Sequence, residues 1–194
     1  MTDVIDLLVG IRPGTPLDAI RARRPEARAQ AQASYAALFD PADPAGIAPA
    51  ERLAVATFVV AIHGATDVAA HYRGRLAGLD AALADAIDAA AMAAAGKGPY
   101  GRFPAGPLSA EDAPGPAWSA DAATAAAVGP RLGAAFAHMH LLVFHPRDAA
   151  ADHLQALLDA GWSTTDVVTL SQIASFVAFQ LRAVAGLRAL ATRL

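Results

Sequence analysis

A chain of 194 residues carrying 15 Lys plus Arg against 18 Asp plus Glu, with a formal charge of -3, has no electrostatic footprint for nucleic acid. It contains no cysteine, which excludes disulfides, thiolate metal sites and any cysteine nucleophile. Hydrophobic residues make up 55% of it, yet the densest apolar run, Leu53 to Ile62, is far short of the roughly 20 residues a membrane span requires, so no membrane partner is expected.

The length predicts one domain, 1–194. The opening MTDVIDLLVGIRPG has two early aspartates and no basic region, so it does not read as a secretory signal and a cytoplasmic location is expected. Thr15-Pro16 followed by LDAIRAR has a cap and a first-turn proline, predicting a short helix that ends before Pro25. Pro25 opens the next, to about Phe39, and DPADPAG at 40–46 breaks the chain, closing a helical extension over 1–46.

Pro49 starts AERLAVATFVVAI, apolar on most sides and therefore expected at the centre of the core, with Glu51 near its positive end. Gly64 can end or kink it, and one long Ala-rich helix is expected from Thr66 to about Ala95. Residues 96–118 are too rich in Gly and Pro for a regular element. A loop of this length is a lid, an intersubunit arm or a plain surface loop, and Tyr100, Phe103 and Trp118 predict that it packs on something. In 119–194 a helix pair broken at Gly129-Pro130 is followed by a helix stopped at Gly161. Ser163 to Asp166 then has capping-box spacing before a final helix with Leu170, Ile173, Val177, Leu181 and Val184 in register. The fold class is all-α.

Two stretches, PAERLAVATFVVAIHGATDVAAHY (49–72) and LLDAGWSTTDVVTLSQIASFVAFQLRAVAGL (157–187), resemble the alkylhydroperoxidase D and carboxymuconolactone decarboxylase superfamily, in its cysteine-free branch. The resemblance implies an alkylhydroperoxidase D-like helical bundle and a homo-oligomer. Peroxidase members of that family carry C-x-x-C-x-x-x-H with a glutamate upstream. Aligned on His71, the cysteine positions here hold Gly64 and Asp67, and the glutamate position falls on Arg52, one residue after Glu51. The scaffold and one histidine carry over, and the thiol chemistry does not.

On a continuous helix His63, Asp67 and His71 share one face, each step of four advancing about 40°. A carboxylate between two imidazoles suits general acid-base work, with His71, Asp67, Glu51 and His63 as the candidate catalytic residues. The plainer reading is a polar seam between packed helices. His138 and His140, two apart, point away from each other on a regular helix; His138 and His145 share a face without a carboxylate to complete a set. No metal and no cofactor is therefore expected. Gln180 and Arg182, with Arg188 and Arg193, either meet an anionic substrate or serve the helix end and subunit contacts. Trp162, Phe176 and Phe179 read as core or interface more readily than as a pocket. Lys97 in GKG lacks the rest of a phosphate loop.

The functional expectation is a divergent, peroxidase-related or carboxymuconolactone decarboxylase-like enzyme using His71 as acid or base on a small organic molecule. The alternative is a non-catalytic scaffold or small-molecule binding protein that retains the fold.

Overall fold

Capping side chains and prolines fix where most of the helices begin. A computed structural model describes residues 3–194. Asp3 accepts from the Asp6 amide at 2.9 Å to open α1 (Val4–Val9), a helix not anticipated from the sequence. Thr15 caps α2 (Pro16–Ala22), and Pro25 starts α3 (Pro25–Phe39), both with proline in the first turn. Asp6 is buried and meets Arg21 at 3.2 Å and also Arg28, so the first three helices are joined by ion pairs.

The central element is α4 (Pro49–Ile62), in which every residue from Leu53 to Val60 is buried. A helix apolar on all sides must be surrounded; α4 packs against α5 (Thr66–Ala77), α6 (Ala81–Ala93), α7 (Ala122–Phe144) and α9 (Thr164–Ala191). The single helix expected over Thr66 to Ala95 is two. It stops at Gly78, and Asp80 caps the second helix by accepting from the Leu83 amide at 2.9 Å. Arg73 then joins the pair by bonding Asp85 and Asp88, each at 2.6 Å. In α7 the break falls at Gly129, whose φ of 80° and ψ of 159° lie outside helical values.

The segment at 96–118 lies against the C-terminal end of α7. Tyr100 donates its amide to the Phe144 carbonyl at 2.5 Å, Gly101 and Ala113 form an isolated antiparallel bridge, and the Trp118 ring lies 5.4 Å from Phe58. This bridge aside, the described residues contain no β structure. The fold is all-α.

After α8 (Ala151–Asp159), the amides of Gly161 and Trp162 bond back to the carbonyls of Leu158 and Leu157, a glycine-terminated stop with Gly161 at φ 90°. The capping box forms as its spacing predicts: Asp166 donates its amide to Ser163 Oγ at 3.2 Å, and Ser163 donates its amide to Asp166 Oδ2 at 2.9 Å. By length and composition α9 could cross a membrane. In the fold its inner side packs on α1, α3, α4, α7 and α8.

Candidate functional site

The four residues singled out along the sequence occupy four separate environments, and no hydrogen bond joins any two of them. Gly64 is the cause for the first three. Its φ of +71° ends α4, so His63 closes one helix while Asp67 and His71 belong to the next, and the continuous face does not form. His63 turns back on its own helix, its Nδ1 2.7 Å from the Val59 carbonyl. Burial above all, with Arg182 adding to it, holds this imidazole below its ordinary value.

Asp67 forms an ion pair with Arg188 of α9, whose second nitrogen donates to the Leu8 carbonyl at 2.5 Å. These residues tie α5, α9 and α1 together. Glu51 accepts the Ala48 amide and Arg131 Nε, both at 2.9 Å. Arg131 also lies over the Trp162 ring at 3.6 Å, and Trp162 Nε1 donates to the Arg131 carbonyl at 2.9 Å. Glu51 thus belongs to the junction of α4, α7 and the turn before α9.

Arg52, at the position the family's glutamate would take, is 5% exposed. It donates to the carbonyls of Ile47, Leu38 and Pro44 at 3.1, 2.9 and 2.9 Å. A guanidinium with three fixed acceptors braces the backbone between α3 and α4, where only the Pro44 carbonyl also meets an amide, that of Ile47.

His71 stands in a chain of polar side chains that ends on an imidazole nitrogen. Its Nε2 lies 2.7 Å from the Tyr35 hydroxyl of α3. Arg75, one turn along α5, donates to the same hydroxyl at 2.5 Å and to Asp40 Oδ1 at 2.5 Å. Arginine can only donate, so the Tyr35 oxygen accepts from Arg75 and its own proton is free to point to His71. In that arrangement Nε2 accepts and Nδ1 carries the hydrogen, and Nδ1 has no protein partner among the described residues. Burial first, then the Arg75 charge, push the His71 imidazole below its usual value. Burial raises the Tyr35 phenol, with Arg75 opposing. The aromatic setting is continuous, with Tyr35 5.1 Å from Phe39 and His71 5.1 Å from Tyr72.

Tyr35 is the residue sequence reading missed. It lies in the Ala-rich ASYAALF of α3, 36 positions from His71, and nothing in local spacing connects the two.

Gln180 and Arg182 do not form an anion site. Gln180 is 0% exposed and its Oε1 accepts from the Tyr72 hydroxyl at 2.7 Å, while Arg182 bonds the Ala178 carbonyl of its own helix at 2.8 Å. Trp162 and Phe176 are buried, whereas Phe179 is exposed. The other histidines gather elsewhere: His138, His140, His145 and His153 line one cavity with Asp148. Among the described residues no three His, Asp or Glu side chains converge as metal ligands would.

No family model, curated protein or solved structure matches the chain.

Proposed function

We propose that this chain is a cysteine-free protein of the alkylhydroperoxidase D-like and carboxymuconolactone decarboxylase kind, acting as an acid-base enzyme on a small organic molecule. His71 is the residue that exchanges a proton with the substrate. The observation carrying this reading is the Asp40–Arg75–Tyr35–His71 chain, which sets a phenol against one imidazole nitrogen and leaves the other without a protein partner.

When Nδ1–H gives its proton to a substrate carbon or oxygen, the Tyr35 proton passes to Nε2 and the ring stays neutral. The phenolate left behind faces Arg75, whose charge Asp40 balances. Burial opposes ionising this phenol, so Arg75 is what makes the step accessible, and Tyr35 and Arg75 are positioning residues. From the state this leaves, with Tyr35 a phenolate and the hydrogen on Nε2, the reverse relay takes a proton from the substrate at Nδ1 and returns the Nε2 proton to Tyr35. Thiol-dependent hydroperoxide turnover is absent from this scheme because no cysteine exists to support it.

The test is a panel of small β-keto acids and γ-lactone carboxylates incubated with protein in D₂O, scored for carbon dioxide release and deuterium incorporation. Turnover should fall by about 100-fold or more in His71→Phe, the scale of a lost acid-base group. Tyr35→Phe should lower kcat and shift its pH profile without a matching change in KM. Turnover that survives His71→Phe sinks the assignment.

A second reading, a non-catalytic scaffold or small-molecule binder, is supported by the way His63, Asp67 and Glu51 are taken up by backbone or arginine partners. No turnover on any member of the panel favours it. A homo-oligomer belongs to either reading; exposed Val168 and Phe179 on α9 and Leu154 on α8 support it, and sedimentation of the intact chain tests it.

A further inference from the structure

His138 sits on α7 with 5% of its surface exposed, and neither ring nitrogen has a hydrogen-bond partner. Such a side chain is costly, since a buried polar group left unpaired forfeits about 1–3 kcal/mol. It lines a cavity of about 220 Å³ between α7, α8 and the end of the 96–118 segment. No residue of the Tyr35–His71 chain contributes to this cavity.

The walls define what fits. Ala134, Ala137, Ala156 and Ala117 provide room by their lack of side-chain bulk, and Trp118 supplies a flat aromatic face. Cavities of about 150 Å³ accept a benzene ring, so this one holds a single six-membered ring with a substituent. The polar groups on the far side are already committed. His145 places Nδ1 3.0 Å from Asp148 Oδ2 and Nε2 2.9 Å from the Pro116 carbonyl, and Asp148 Oδ1 accepts the Arg102 amide at 3.1 Å. These bonds fasten the segment over the cavity. His153 turns its Nδ1 to the Ala150 amide at 3.2 Å. His140 gives one ring nitrogen to the Ala94 backbone, and of the four histidines in the wall only His138 has no partner at either nitrogen.

Charge narrows the choice further. Burial and the neighbouring His153 keep the His138 imidazole neutral, so it offers no cation to an anionic ligand, and the Asp148 carboxylate in the wall repels one. A cationic ligand finds the carboxylate already occupied.

We propose that this cavity is a binding site for a neutral, phenol-sized hydroxylated ring compound, with its ring against Trp118 and its hydroxyl hydrogen-bonded to His138. The site is separate from the proton chain at His71 and stands or falls independently of it.

The probe is 4-methylphenol, with toluene as the hydroxyl-free control, titrated into the intact chain by calorimetry and followed at the ¹⁵N-labelled histidine ring nitrogens. Saturable binding of one 4-methylphenol per chain is expected, with a shift at His138 and affinity about tenfold above that of toluene, the value of one buried hydrogen bond. His138→Phe removes both unpaired atoms and should fold at least as well as the parent. In that variant the two probes should bind alike. Ala137→Leu fills the space and should abolish binding of both. Three results overturn the proposal: no saturable binding at millimolar probe, a hydroxyl preference that persists in His138→Phe, or His138 ring signals that report contact with water alone.

Discussion

The Tyr35 hydroxyl and His71 Nε2 stand 2.7 Å apart, and Arg75 donates to the same hydroxyl oxygen. The guanidinium has no acceptor, so the phenol proton is free for the imidazole, and a bond so directed stabilises its neutral form. Replacing Tyr35 with Phe removes that donor and leaves the Nε2 lone pair open. Losing that donor should raise the His71 pKa in Tyr35→Phe, while burial and Arg75 still hold it below 6.5, and the fold should lose about 1–2 kcal/mol. Histidine ring titration by NMR reads the first and urea unfolding the second. An unchanged His71 titration would show that the bond has no hold on its proton.

Four histidines give stability a definite dependence on pH. His63, His71, His138 and His140 are all held below 6.5, chiefly by burial. Arg182 faces the first, Arg75 and Asp40 the second, His153 the third and His145 the fourth. As pH falls through 6.5 the unfolded chain takes up protons that the folded chain refuses, so stability is fully present above that value and is lost below it, down to the folded values. Each differential proton contributes a slope of about 1.4 kcal/mol per pH unit. Denaturation midpoints should therefore fall from pH 7.5 to 5.5, before the lowered carboxyls of Asp18, Asp121 and Asp148 matter. A midpoint flat across that interval contradicts the burial of these rings.

Adjacent residues Arg52 and Glu51 should respond very differently to substitution. Arg52→Met strands the buried carbonyls of Ile47 and Leu38, while that of Pro44 keeps the Ile47 amide at 3.3 Å, and should cost about 3 kcal/mol. Glu51→Gln keeps an oxygen for the Ala48 amide and weakens only a partly exposed pair with Arg131, so its cost should stay within about 1 kcal/mol. Urea midpoints of the two variants check both values. Neither residue approaches His71 through a hydrogen bond, so proton exchange at His71 in Glu51→Gln should match the parent.

Local signals in the sequence carried most of the helices. Thr15-Pro16, Pro25, Pro49 and the Ser163 to Asp166 box each place a helix start by chemistry contained within four residues. The apolar α4 likewise announced its central position. The division between α5 and α6 was overlooked because Asp80 resembles one more exposed charge on an Ala-rich helix until its carboxylate is seen on the Leu83 amide. The site was harder to read, because its partners come from distant helices. His71 meets Tyr35 across 36 positions and Asp67 meets Arg188 from the far end of α9, and no periodicity encodes either pairing. His138 and His140 illustrate the same limit. A regular helix turns them apart, yet packing against α8 and the 96–118 segment brings both to the wall of one cavity.

Gly64 separates the backbone's contribution from that of the side chains. At φ +71° it occupies the left-handed region, and a Cβ added there meets nothing within 4 Å. Gly64→Ala should therefore cost only the backbone term, about 1–2 kcal/mol, with no steric addition. The break between α4 and α5 should persist, because Val68, Tyr72 and Leu76 of α5 are buried in the core and hold that helix where it is. His71 is placed by this packing and by Tyr35, so its titration should be unaltered in the variant while the urea midpoint drops. If Gly64→Ala instead moved the His71 titration, α4 and α5 would have to be joining into one helix, and the seam of His63, Asp67 and His71 would be only one substitution away from forming.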